Sequence, residues 1–154
     1  MVGCSKIAGQ TLTSHILKLS YTYVMVSGRL NEHIKNVDLQ GLTALLSDNP
    51  SLANEPVALD HDPAKAHPLH RVCDGVFARI YSDQQAVEMA GIFLSFGAMV
   101  DGGVTEDMKD TPLTAAASLG ADLVGILYID HGANIHHRGC HGGTALHWAA
   151  WCGR

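Results

Sequence analysis

The chain has 154 residues, 47% of them hydrophobic, which suits one domain-sized core and excludes a chain disordered throughout. Ten Lys and Arg against fifteen Asp and Glu leave a formal charge of −5, which argues against a broad basic face for nucleic acid. No run of about eighteen apolar residues occurs, so the sequence holds no candidate membrane-spanning helix.

Residues 1–27 read as an appendage to which no role is assigned. Within it, Leu17, Leu19, Tyr21, Tyr23 and Met25 alternate with Lys18, Ser20 and Thr22, a pattern that fits a half-buried strand as well as a poor helix. Ser14, His15, Lys18 and Ser20 break up the apolar run that a secretory signal needs. The four cysteines, Cys4, Cys73, Cys140 and Cys152, make no CxxC pair and read as reduced thiols of a cytoplasmic chain.

From residue 28 the chain repeats itself. A first, polar unit runs from Leu30 through Leu39, Leu42, Leu45 and Leu46 to Asn49-Pro50-Ser51-Leu52, and residues 53–66, rich in Pro, Asp and Ala, read as a loop. Three similar starts follow: His67-Pro68-Leu69-His70, Thr111-Pro112-Leu113-Thr114 and Thr144-Ala145-Leu146-His147. Each leads into small or apolar residues and closes on a glycine, at Gly75, Gly120 and Gly153. Between the starts, Ile92–Gly97–Ala98 parallels Ile126–Gly132–Ala133 as an apolar helix end with a C-capping glycine. Leu113 and Leu146 are 33 residues apart and Leu69 and Leu113 are 44 apart, so the first interval holds 11 extra residues. Nine of them fall around Val76–Gln85 and two before Thr111.

This pattern resembles the ankyrin repeat, over about residues 28–154. The resemblance implies an all-α solenoid of stacked helix–turn–helix layers with projecting loops. Its parts are a degenerate N-terminal cap at 28–54, a repeat at 64–101 with an insertion at 76–85, a repeat at 108–137 and a partial repeat at 141–154. Thr111 and Thr144 are expected as helix caps, and Pro112 fits a first turn, where its missing N–H is harmless. Leu113, Leu123, Leu127 and Leu146 are expected to fill the space between layers, with the alanines allowing close approach. Trp148–Arg154 finishes an inner helix without an outer helix or polar cap, so the reading expects a chain truncated at its C-terminus, with self-association through the uncapped face.

The expected function is a protein–protein interaction module without catalysis of its own, binding a protein partner and neither nucleic acid nor membrane, and needing no cofactor. On the ankyrin pattern the concave face takes residues one and four places beyond the Leu-His pair: Arg71 and Asp74, Ala115 and Ser118, Trp148 and Trp151. Trp148 reads either as packing between repeats or as a contact. The insertion either extends a helix, with Phe77, Ile80 and Tyr81 packing over a neighbour, or reaches a partner through Arg79 and Tyr81. His136, Arg138 and His141 lie on a projecting recognition loop.

Histidines supply the alternative. His136, His137, Cys140 and His141 have the donor types that zinc prefers, which makes a metal-binding or metal-regulated loop the second reading. His61, His67, His70 and Cys73 form a second string of such types, but His70 and His147 are implied by the resemblance to be structural and Cys73 reads as a small core residue. Asp60, Asp62, Asp101, Asp107 and Asp110 read as solvated loop carboxylates. A weaker third reading makes the segment the targeting arm of a larger enzyme.

Overall fold

Short helices set the architecture, because each needs a neighbour to bury its apolar side. The computed structural model describes residues 28–59, 62–104 and 109–154, so readings that fall on 1–27, Asp60, His61 and Asp107 lie outside the described residues. The described part is mostly helical, and none of its helices is long and apolar enough to cross a membrane. In chain order the helices are α1 (28–36), α2 (Leu39–Asp48), α3 (Pro68–Phe77), α4 (Asp83–Ser95), α5 (Pro112–Leu119), α6 (Asp122–Asp130) and α7 (Ala145–Trp151).

Local chemistry starts and stops these helices where the sequence signals it. His67 and Thr111 accept hydrogen bonds from Leu69 N (3.3 Å) and Thr114 N (3.2 Å), each followed by a proline at the first helical position. Ser82 and Gln85 bond reciprocally in a capping box that opens α4. At the other ends, Gly97 and Gly132 take φ of +84° and +85°. The next residues' amides reach back to Phe93 O and Tyr128 O, both at 3.0 Å, which closes α4 and α6 in the same way.

Two rows of helices result. α3, α5 and α7 pack side by side in one row, while α2, α4 and α6 form the other, with α3 on α4 and α5 on α6 across the rows. Leu42, Leu46, Leu69, Val72, Met89, Phe93, Val124 and Tyr128 are buried in one continuous core. Tyr128 crosses it, donating its hydroxyl to Leu69 O at 2.7 Å and so joining α6 to α3. Side-chain to backbone bonds tie successive layers at their edges. Asn54 accepts from Met99 N (2.7 Å) and donates to Gly97 O (2.9 Å), and Asp101 accepts from Asn134 N (3.0 Å). Asp83 at the start of α4 accepts from Leu123 N (2.7 Å) at the start of α6.

The inserted residues are distributed rather than concentrated. Against α5 and α6, α3 is two residues longer, the α3–α4 connection three longer and α4 four longer. Tyr81 folds back under this connection, donating to Val72 O at 3.1 Å, and a Cβ at position 75 would overlap its ring, which is why glycine stands there. Phe77 and Ile80 are exposed rather than packed on a neighbour.

Three expectations are corrected here. The architecture is not wholly α-helical, since residues 53–66 are not simply a loop. After a turn of 3-10 helix at Pro50–Ala53, β1 (Val57–Leu59) pairs antiparallel with β2 (Asp62–Ala66). Buried Val57 anchors the hairpin, and its carbonyl accepts from Arg71 Nε at 2.9 Å. Leu123 and Leu146 are exposed instead of filling the space between layers. The reason is positional: Leu69, Leu113 and Leu146 hold the same place in α3, α5 and α7 and are 0%, 4% and 76% exposed, and among the described residues no layer packs beyond α7.

This gradient predicts unequal costs for one substitution. Leu69→Ala or Leu113→Ala should lower the unfolding free energy by about 2–5 kcal/mol, as for buried leucines generally. Leu146→Ala should change it by less than about 0.5 kcal/mol. Urea unfolding of the three variants, followed by circular dichroism, measures the contrast.

Candidate functional site

The row formed by α3, α5 and α7 is grooved, because its middle helix carries small side chains. Thr114, Ala115 and Ser118 of α5 leave a cavity of about 320 Å³ between α3 on one side and α7 with the loop at 140–141 on the other. His70 and Asp74 line it from α3, Asp110 from the turn before α5, and Trp148 from α7. Ser118 turns its hydroxyl to Ala115 O at 3.1 Å, and Leu119 adds an apolar side chain to the lining from the same helix.

Charges around the groove are ordered. Asp74 Oδ2 lies 2.7 Å from Arg71 Nη1, and its Oδ1 lies 4.0 Å from His70 Nε2. Burial lowers the His70 pKa, against the pull of Asp74; Arg71 lowers it further and Asp110 opposes. Asp110 accepts the Cys140 amide at 3.0 Å, and its bond with the Cys140 thiol raises that thiol's pKa. Trp148 Nε1 is buried beside Gly143 without a hydrogen-bond partner among the described residues, and the His141 ring meets the indole edge-on at 6.4 Å. A left-handed backbone at His141 (φ +58°) sets this approach.

The expected contact residues divide. Asp74, Ser118, His141 and Trp148 come together at the groove. Arg71 and Tyr81 are buried and are corrected as contacts: the guanidinium is held by Val57 O and Asp74, and the phenol by the Arg71 and Val72 carbonyls in the middle of α3. Arg79 is exposed on the α3–α4 connection, outside the cavity lining. Trp151 is 86% exposed on α7, and it too lies outside the lining. His136 and Arg138 are exposed on the loop, where Arg138 donates to Gly142 O at 2.9 Å.

Sequence reasoning missed His70 and Asp110 as parts of this site. Asp110 was legible only as a loop acid, although its place directly before the Thr111 cap puts it at the mouth of the groove. His147 instead stays within its own turn, with Nδ1 2.7 Å from Thr144 Oγ1.

The loop donors do not assemble around a metal. His137 donates from Nε2 to Lys109 O at 2.7 Å, Cys140 is bound to Asp110, and His141 turns to Trp148. Among the described residues, no three His, Cys, Asp or Glu side chains are grouped to hold an ion. Cys73 is fully buried, 3.4 Å from Leu69 O, and burial pushes its thiol far above the usual range, as befits a core residue. No protein-family model matches the chain, and no curated protein matches it.

His67 has a different use from either reading of its string. It is buried, with Nδ1 accepting from Leu69 N and Nε2 3.2 Å from Asn54 Oδ1, an arrangement that needs a neutral ring protonated at Nε2. Burial, aided by His70, lowers its pKa from 6.5 to about 4. The unfolded chain therefore binds a proton that the fold refuses between those values. Stability should be full above pH 6.5 and fall as the pH drops towards about 4, by on the order of 3 kcal/mol. Urea unfolding across this range should show the loss, and His67→Asn, which keeps a capping oxygen, should be less stable at pH 7 and lack this share of the slope.

Proposed function

We propose that the chain is an ankyrin-repeat solenoid that serves as a protein–protein interaction module, binds its partner in the groove across α3, α5 and α7, and catalyses no reaction of its own. The observation that carries this reading is the groove itself, a cavity of about 320 Å³ whose walls come from three successive layers and a projecting loop. Such a surface is continuous across layers, which suits an extended polypeptide segment. Two helical rows, the Thr-Pro-Leu and Gly-Ala punctuation and the 33-residue spacing support the repeat family.

Thiol chemistry supports a binding role over catalysis. Cys73 is sealed in the core and Cys140 is kept protonated by Asp110, so neither resembles an activated nucleophile. The free thiols Cys73, Cys140 and Cys152 are consistent with a reducing cytoplasm. The exposed ends of His136 and Arg138 add polar contact beside the groove.

Affinity capture from lysate with groove variants tests the reading. Ser118→Arg fills the cavity and should abolish capture of a partner that the wild-type chain retains, whereas Trp151→Ala, outside the cavity, should weaken it by less than about threefold. A zinc chelator should leave capture unchanged. Loss of the partner in chelator, with zinc bound stoichiometrically to the purified chain, would overturn this proposal in favour of a metal-dependent loop.

A further inference from the structure

The groove has a chemistry that selects among partners. Among the described residues two carboxylates, Asp74 and Asp110, line it, and no Lys or Arg does. The Arg71 guanidinium is buried and bound to Val57 O and Asp74 Oδ2, so it offsets Asp74 in part, while Lys109, next to Asp110 in the chain, acts on Cys140. Asp74 Oδ1 has His70 Nε2 at 4.0 Å, beyond hydrogen-bond reach, and among the described residues Asp110 receives the amide and thiol of Cys140, leaving acceptor capacity on both.

The lining also holds an aromatic group, the Trp148 indole with His141 at its edge, on the loop side where Asp110 binds Cys140 and across the groove from Asp74 on α3. A cation over such a ring gains attraction from the π face in addition to its ion pairs. The α5 floor of Thr114, Ala115, Ser118 and Leu119 would accept the methylene stem of a long side chain. A cavity of about 320 Å³ has room for one such side chain and its backbone, not for a folded element.

We propose that this groove is a subsite for a single basic side chain, arginine or lysine, carried on an extended segment of a partner protein. An acidic side chain would meet two like charges there, and an aliphatic one would strip water from two carboxylates without replacing its hydrogen bonds. A bare metal ion is a poorer occupant, because the groove does not group three ligands. The formal charge of −5 on the whole chain favours approach of a basic segment. This proposal rests on the interaction-module reading and adds the partner's chemistry to it.

Selection of a phage-displayed random heptapeptide library on the immobilised chain tests both and separates them. The expected result is a set of peptides sharing Arg or Lys at one position. Replacing that residue by Gln in the synthetic peptide should weaken binding at least tenfold, and Asp110→Asn in the protein should do the same. Asp110→Glu should restore part of the loss, which a merely structural effect of the substitution would not allow. Peptides without a shared basic residue would overturn the subsite and leave the module reading standing. Basic peptides that bind Ser118→Arg as tightly as wild type would place their site elsewhere and also overturn it. No enrichment at all would overturn the subsite and the module reading together. The peptide substitution needs no altered protein, so the test survives even if a variant fails to fold.

Discussion

One leucine, placed second in each helix of the inner row, depends on the layer beyond it. Leu69 and Leu113 lie on α3 and α5, which pack against α5 and α7 respectively, and both are buried; Leu146, on α7, is exposed. Helices of 7 to 10 residues, the lengths of α7, α5 and α3, are marginal alone in water. Their stability therefore comes from stacking, and each layer is as stable as the contacts on its two faces allow. The Tyr128 hydroxyl strengthens this dependence by bonding α6 of one layer to α3 of the layer before it. A neutral hydrogen bond in so dry a place contributes about 1 kcal/mol, and leaving the Leu69 carbonyl without it would cost more.

Stacking alone would let layers slide or rotate, and polar side chains at the edges prevent it. Asn54, Asp83, Asp101 and Asp110 each accept an amide from the following layer. Asn54 does this while its Oδ1 also lies at 3.2 Å from His67, so the neutral imidazole couples the cap of α3 to the turn after α4. Because these bonds join side chain to backbone, they specify the offset between layers as well as their separation. The groove inherits that precision, since its walls belong to different layers and its width follows from their offset.

Electrostatics divides the acids of this face into two uses. Arg71 is buried where a surface arginine would be expected, and it is satisfied by a strand carbonyl and by Asp74. A guanidinium stripped of water needs such partners, and the hairpin supplies one of them. Asp74 and Asp110 consequently keep one side towards structure and one towards the groove. With His70 held neutral by burial, the groove carries negative charge next to an indole. That combination motivates reading the face as a recognition surface for a basic segment.

Much of the helical architecture was legible in the residues themselves. Thr111-Pro112 and Gly97 or Gly132 mark helix starts and ends through local backbone chemistry, which needs no knowledge of neighbours. The spacing of the Leu-containing starts located the nine inserted residues, though not their division between two helices and a turn. Of the candidate site, Asp74, Ser118 and Trp148 line the groove at positions that the resemblance to the ankyrin pattern implied, and His141 lines it from the loop. The hairpin at Val57–Ala66 was hidden by its Pro and Asp, which signal a loop in isolation but are tolerated on edge strands. Arg71 was misjudged because its polar end suggests solvent, and Tyr81, open between packing and contact, is buried; contacts with Val57 and near Gly75 decide both. By itself the sequence determined where short helices begin and end, since those are contests settled within a few residues. Only the tertiary structure decided which polar side chains face a groove and which are buried, because burial depends on residues distant in the chain.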